Sequence, residues 1–528
     1  MTNAGPALNH PRYLQRQIEY IRDTDNSDIR EVIVKMGTPG PEDPPFMQRL
    51  GEAMRRRGVS TSARDVLPVA KDFQNAKDRR ARTLAARERE LTSADRSLAA
   101  TAAQSAWTAA DIAELKQSAL ADLEPLLGSS IVQQALATAT GETPSSAQPT
   151  RLWISNSVVL PVPDRFLPEL ISNVPNIEDI YPNRRLSVPP IVKPTQIAYD
   201  IDHNKASAWG VRAIGALSAW GAYDCRGEDV IVGLLDTGVD ADHPDLKGKV
   251  VAWAEFDEKG VQVPDSQPHD SDQHGTHCAG IILGERASGR WIGIAPRAKM
   301  AAAMVLNGER GGTDAQVLAG LQWTIEQQVD VINVSLGSLV LGPDAPSTYT
   351  KAFLSALKVG IPVVTAIGND GSQTSGSPGN DFLGLAVGAT DYLNRAAGFS
   401  GGGTYIIRQS SYFPPAMLPL VFSKPDLSAP GVSVWSSVPG SGWSYFNGTS
   451  MAAPHVAGAI ALLLSATTIK DLVNPHERAF LIQDLLIGSA EESGEAGQNH
   501  RFGFGRIDIL KAIGFAYDRG YGRENNGR

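Results

Sequence analysis

The sequence predicts an α/β protein: a doubly wound, mainly parallel sheet preceded by a smaller α+β unit of ferredoxin-like order that carries a helical insertion. Two observations carry this reading. From about Trp209 onward, short apolar runs alternate with helical segments, as expected for parallel strands joined by crossover helices. Ahead of that point the segments run strand, helix, strand, strand, helix, strand, with a long Ala- and Glu-rich stretch set into the series.

Taken in chain order, residues 1–27 are polar and read as a disordered tail. Arg30–Met36 (REVIVKM) is rich in β-branched residues and reads as a strand. Phe46–Arg57 is compatible with a helix. From Lys71 to Leu127 the chain is rich in Ala, Glu, Arg, Leu and Lys and meets no proline before Pro125, which predicts two or three long helices. Ser93 and Thr108 are their N-caps, with Asp95 and Asp111 bringing acid into the first turns. A Thr/Ser/Pro/Gly-rich linker spans Thr138–Pro149. Leu152–Asn156 and Val158–Val162 read as strands, Asp164–Ser172 as a helix and Ile177–Tyr181 as a strand. Behind them Val230–Leu235, Lys299–Val305, Val331–Val334, Pro362–Ala366 and Leu385–Val387 form the larger sheet. In such folds the loops at the carboxyl ends of the strands build the site.

Composition removes several function classes. The chain has 57 Asp and Glu against 48 Lys and Arg, a formal charge of −9, which argues against a surface built to hold nucleic acid. Only Cys225 and Cys278 occur, so neither a disulfide framework nor a cysteine metal site is available. The N-terminus lacks a basic start followed by an apolar run, and no stretch approaches the ~18 apolar residues that cross a bilayer. A soluble, cytoplasmic protein that binds no membrane is the expectation.

Three segments carry chemistry. Asp236 follows the apolar run Val230–Leu235 and precedes Thr237–Gly238, so its carboxylate lies at a strand's carboxyl end. Alone, Asp-Thr-Gly suits an Asx turn equally well. His274 opens His-Gly-Thr-His-Cys-Ala-Gly, where small residues let a helix pack closely. His274 and His277 share a helix face, but no acid of the HExxH kind lies between them, which disfavours a metal centre. Ser450 lies in Asn-Gly-Thr-Ser-Met-Ala-Ala-Pro at the start of a small-residue helix, Met451–Leu464. There it gains from the helix-end field and from N–H groups facing a developing oxyanion.

The order Asp…His…Ser, with the flanking words Asp-Thr-Gly, His-Gly-Thr-His and Gly-Thr-Ser-Met-Ala-Ala-Pro, resembles the subtilisin-like serine peptidases, or subtilases, over about Trp209 to Ala516. The resemblance implies an endopeptidase in which Ser450 is the nucleophile, His274 the general base and Asp236 its orienting carboxylate. Asn369, in Val-Thr-Ala-Ile-Gly-Asn-Asp-Gly, matches the side-chain donor of the oxyanion hole. Ser335, Leu336 and Gly337 resemble the segment that pairs with extended substrate, and Ala366, Ile367 and Gly368 one wall of the pocket before the scissile bond. Ser338 and Ile367 depart from the smaller residues common there. No organic cofactor is implied. Many subtilases bind structural calcium, and Asp245 matches one ligand, but Arg286 and Ala287 stand where asparagine ligands are expected. Loss of the usual site follows, with a weaker calcium site elsewhere left open. Cys278, His243, His277 and His455 read as packing residues.

The front series and the phrase Val174-Pro-Asn-Ile-Glu-Asp-Ile-Tyr181 resemble the subtilase propeptide, which is both folding aid and inhibitor. The expected plan is a tail over 1–27, an inhibitor-like unit over 28–190 with its helical insertion at about 71–148, and a linker over 191–208 with a processing site. A catalytic domain over 209–520 and a tail over 521–528 complete it. The expected partners are protein or peptide substrates, the chain's own front part as inhibitor, and an activating partner at the helical insertion. An alternative is a component of a complex that cleaves one dedicated partner.

Overall fold

A computed structural model describes residues 10–25, 27–37, 44–57, 109–141, 149–187, 202 and 205–523, apart from 309, 342–347, 409, 411–412, 414–417 and 473. The front part runs α1 (His10–Thr24), β1 (Ile29–Met36), α2 (Pro44–Arg56), α3 (Ala109–Leu127), α4 (Ser130–Thr140), β2 (Thr150–Leu152), β3 (Ser157–Pro163), α5 (Leu167–Asn173), β4 (Ile177–Pro182) and β5 (Arg185–Leu186). Four of these strands form one antiparallel sheet in the order β2-β3-β1-β4.

Alternation along β1 and β3 gives this sheet two apolar faces. Val32, Val34, Val158 and Leu160 face Leu14, Ile18 and Ile21 of α1, Val132 and Leu136 of α4, and Leu170 of α5. Ile33, Val159 and Tyr181 join the core of the larger domain. Residues 10–24 are therefore not a tail. Leu14, Ile18 and Ile21 recur at helical spacing and are buried, and Arg22 forms a two-pronged contact with Asp164. The helix that directly precedes β2 and packs on the sheet is α4, whereas α2 lies against the larger domain. The sequence assigned the crossover to Phe46–Arg57 and α4 to an insertion; packing reverses the two.

Other details also differ from the sequence reading. The strand expected over Leu152–Asn156 ends at Leu152, because Trp153–Ser155 turn as a 3-10 helix and Asn156 takes a left-handed φ of 51°. Its Nδ2 instead donates to the Met36 carbonyl, 2.9 Å away. Helix α4 runs on to Thr140, past the expected linker start. The helices read over 71–108, with both caps, and most of the linker over 191–208 lie outside the described residues. Tyr521, assigned to the closing tail, belongs to the core, and its carbonyl accepts from Thr468 N.

The larger domain continues with α6 (Trp209–Ala213), α7 (Ala216–Tyr223), β6 (Ile231–Asp236), β7 (Val250–Glu255), α8 (His274–Leu283), β8 (Lys299–Met304), β9 (Leu306–Asn307), β10 (Gly311–Thr313), α9 (Asp314–Glu326), β11 (Val331–Val334), β12 (Ser338–Val340), α10 (Thr350–Lys358), β13 (Val363–Ala366), β14 (Ser375–Ser377) and β15 (Leu385–Thr390). It ends with β16 (Gly403–Ile407), β17 (Leu420–Lys424), β18 (Leu427–Pro430), β19 (Val434–Val438), β20 (Gly442–Phe446), α11 (Thr449–Ala466), α12 (Pro475–Ser489) and α13 (Ile509–Asp518). Seven strands form a wholly parallel sheet, β18-β15-β13-β11-β6-β8-β7. Strands buried on both faces need continuous apolar runs, which is why they were readable. The sequence reading that no stretch approaches a bilayer-crossing length does not hold for α11, which is long and apolar enough to cross a membrane by length and composition; every residue of it is buried in the core.

Candidate active site

The site gathers at the carboxyl ends of β6, β11 and β13, three neighbours at the centre of the sheet. Asp236 is the last residue of β6 and is fully buried. Its Oδ1 accepts from Thr237 N at 2.8 Å and lies 2.7 Å from His274 Nδ1, so the carboxylate fixes which ring nitrogen carries the proton. His274 begins α8, and α8 reaches it only because residue 275 is glycine: a Cβ there would stand 2.0 Å from the Gly238 carbonyl oxygen. Burial alone would lower the His274 imidazole, but the Asp236 charge and hydrogen bond, with Cys278, raise it well above its ordinary value. Its Nε2 is buried and has no hydrogen-bond partner among the described residues.

Ser450 is the second residue of α11 and is 2% exposed. Pro454, four residues on, has no N–H for the Ser450 carbonyl. That oxygen instead accepts from Ser335 Oγ at 3.1 Å and from Cys278 Sγ at 3.3 Å. Ser450 Oγ in turn donates to the Ser335 carbonyl at 3.2 Å. Cys278 Sγ also lies 3.9 Å from His274 Nδ1, so one thiol touches both residues. Burial pushes that thiol up to about 11, which keeps it neutral. The hydroxyl is thus engaged with the Ser335 carbonyl and not with His274.

Asn369 follows β13 and is half-buried. Its Oδ1 accepts from Thr449 N at 2.8 Å and from Thr449 Oγ1 at 2.9 Å, an assignment that turns Nδ2 away as a donor. Nδ2 flanks Gly448, where a Cβ would be 3.6 Å away. Asn369 is thereby tied to the start of α11, one residue ahead of Ser450.

Of the residues read as substrate contacts, Ser335 is buried and grips Ser450, while Leu336 is 2% exposed and sits in the core. Gly337 is half-buried and leads into β12, which pairs with β14. Ala366 is 5% exposed and Ile367 is fully buried. Gly368 is half-buried, has φ +112°, and passes so close to β14 that a Cβ would stand 2.7 Å from Gly376 N.

Sequence reasoning missed Asp270, which joins the Asp and His segments. Its Oδ1 accepts from Thr237 Oγ1 at 2.7 Å and Asp272 N at 3.0 Å; its Oδ2 accepts from Thr276 N at 2.8 Å and from Thr276 Oγ1. The available signal was an acid four residues ahead of a helix start. His277 does not join a metal centre: its Nε2 is 3.1 Å from each of the Val434 and Ser444 carbonyls, and burial drives its pKa down to about 3.

The calcium ligands are likewise absent as a set. Asp245 Oδ1 accepts from Ala287 N at 2.6 Å and Oδ2 from Trp443 Nε1 at 2.7 Å. Both oxygens are turned to N–H donors, and the Arg286 guanidinium lies over the Trp291 ring beside them. This loop does not fit the ion.

Comparison with known proteins agrees with this geometry. The family model described as "Subtilase family" matches residues 227–505. An "Intracellular serine protease" of Paenibacillus polymyxa is 35% identical over 282 residues, covering 52% of this chain and 78% of that protein. "Subtilisin DY" of Bacillus licheniformis is 37% identical over 244 residues, 46% and 78% of the two chains. The "Major intracellular serine protease" of Bacillus subtilis (strain 168) is 34% identical over 262 residues, 48% and 74%. A parallel sheet of this order, the buried Asp–His pair at its carboxyl edge and these relatives together make the chain a member of the subtilase family, a subtilisin-like serine endopeptidase.

Proposed function

We propose that the chain cleaves peptide bonds through an acyl-enzyme on Ser450 and is made as a self-inhibited zymogen. Ser450 Oγ turns from the Ser335 carbonyl to the substrate carbonyl carbon and passes its proton to His274 Nε2. Asp236 stays ionised and stabilises the imidazolium. Negative charge on the carbonyl oxygen is met by the Ser450 N–H and Asn369 Nδ2. Collapse breaks the peptide bond, and the proton on Nε2 goes to the leaving amine. Water then repeats the sequence on the ester. One observation carries the reading: His274 Nε2 is buried without a hydrogen-bond partner among the described residues, while Cys278 Sγ touches His274 Nδ1 and the Ser450 carbonyl.

Substrate enters extended, beside Gly337 on one side and Gly368 on the other. The zymogen reading draws support from β5, which leaves the front sheet and pairs antiparallel with β10 through Leu186–Gly312 and Arg185–Thr313. Arg184 beside it pairs with Asp314 at 2.7 Å. Both lie inside the span 182–208, where we expect the cut. Two relatives are named as intracellular proteases, and the cytoplasm is the compartment we assign.

The test is covalent labelling and intact mass. A fluorophosphonate probe should label the processed wild-type chain at one site and leave Ser450→Ala unlabelled. Wild type should show a cut within 182–208 that Ser450→Ala lacks. Labelling of Ser450→Ala would end the nucleophile assignment; identical cleavage of both chains would end self-processing.

A further inference from the structure

Helix α2 sits away from the sheet it follows in sequence and docks on α12 of the larger domain. Phe46 is wholly buried, its ring 6.0 Å from that of Phe480, and Leu50, Ala53 and Met54 bury beside it. Its polar edge is basic and meets acid at each step: Arg49 pairs with Glu477 at 3.0 Å, and Arg56 with Asp484.

Arg57, the residue after the helix, goes deepest. Its Nε and Nη2 both donate to Asp426 Oδ1, the first at 3.1 Å, and Nη2 also donates to the Gly384 carbonyl at 3.1 Å. Asp426 is 1% exposed, and its other oxygen is taken by Lys424 Nζ at 2.7 Å and Ala386 N at 2.8 Å. Oδ1 therefore depends on the guanidinium for its hydrogen bonds. Lys424 Nζ also donates to the Gly384 carbonyl at 2.7 Å, so the carbonyl is shared, whereas Oδ1 takes two donors from the one planar guanidinium, a fork that a single ammonium does not supply.

We propose that Asp426 Oδ1 and the Gly384 carbonyl form a guanidinium-binding seat on the catalytic domain, made of residues outside the triad, by which α2 latches the front part in place. The proposal rests on the zymogen reading for its consequence: after the linker is cut, the front part stays bound through this seat as well as through the cleft. Burial alone would raise the Asp426 carboxyl, but Arg57 and Lys424 hold it below its usual value, so the seat carries charge. Lys424, pushed down to about 8 by burial, is the less secure of the two cations. Removing one partner of a buried pair strands the other, which sets the expected effect at roughly a hundredfold in release.

The experiment uses the full chain with Arg57→Ala. In active enzyme, activity should appear roughly a hundredfold faster than in wild type, with the cut fragments separating on gel filtration. In the Ser450→Ala background, which stays uncut, Arg57→Ala should melt at a lower temperature, and millimolar ethylguanidinium should restore it while ethylammonium does not. Equal melting of the two chains, or equal rescue by both additives, overturns the seat. Guanidinium-specific rescue with unchanged timing of activity and unseparated fragments keeps the seat but overturns the latch. If wild type is never cut, the zymogen reading fails while the melting and rescue results still judge the seat.

Discussion

Replacing Asp270 by alanine tests whether the carboxylate that ties the Asp and His segments together holds the reacting groups. Four donors lose their acceptor: Thr237 Oγ1, Asp272 N, Thr276 N and Thr276 Oγ1. Loss of the helix cap costs about 1 kcal/mol. The charge-assisted bond to Thr237 adds about 1.5 kcal/mol, the lower end of its range because Asp270 is only half-buried and water replaces part of the loss. A total of about 2–3 kcal/mol should lower the melting temperature of the Ser450→Ala chain by about 2–5 °C. Activity should fall further than stability implies. Thr237 holds Asp236 Oδ1 through its N–H and accepts from Gly275 N at 3.0 Å, so freeing it loosens the Asp loop and the His helix together. A displacement near 1 Å costs about a hundredfold in rate. Asp270→Asn offers one acceptor oxygen and should fall between the two, since its amide nitrogen would face an N–H. The assay is kcat/KM on a peptide amide across pH, beside thermal melts. An Asp270→Ala enzyme that melts early but keeps wild-type kcat/KM would refute the positioning argument.

Three further outcomes follow from the site. Asn369→Leu should cut kcat by about a hundredfold or more with KM little changed, the range for losing one oxyanion donor; a change confined to KM would move Asn369 to substrate binding. Because a protonated imidazole cannot accept the Ser450 proton, activity should decline as pH falls through the raised His274 value, and Asp236→Asn should move that acid limb downward; an unmoved limb contradicts the pairing. The same raised value adds stability at low pH that is lost as pH climbs through it. Calcium chelation should leave the melting temperature of the Ser450→Ala chain unmoved, whereas Trp443→Phe, which strips Asp245 Oδ2 of its donor, should lower stability by about 1–3 kcal/mol; a large drop on chelation would show that an ion is bound after all.

What the sequence disclosed was whatever local pattern encodes. Stretches such as Ile231–Leu235 are continuous apolar runs, and the Asp, His and Ser segments carry their own neighbours with them. Contacts between distant segments stayed hidden: the Ser335 hydroxyl on the Ser450 carbonyl depends on Pro454 having vacated that oxygen, and no spacing announces it. The apolar positions of α1 were legible at helical period, but its polar majority masked them. The exchange of roles between α2 and α4 was invisible because both suit a helix, and only packing decides which one closes the sheet.

The sheet of the front part is covered on one side by its own helices and on the other by the larger domain. Parting the two would lay Ile33, Trp153 and Val159 open to water as a continuous oily surface. A fragment in that condition clumps or unravels, and an unravelled fragment is fodder for the very enzyme it has just left. On the proposed zymogen reading, departure would then be irreversible, with no free front part left to rebind.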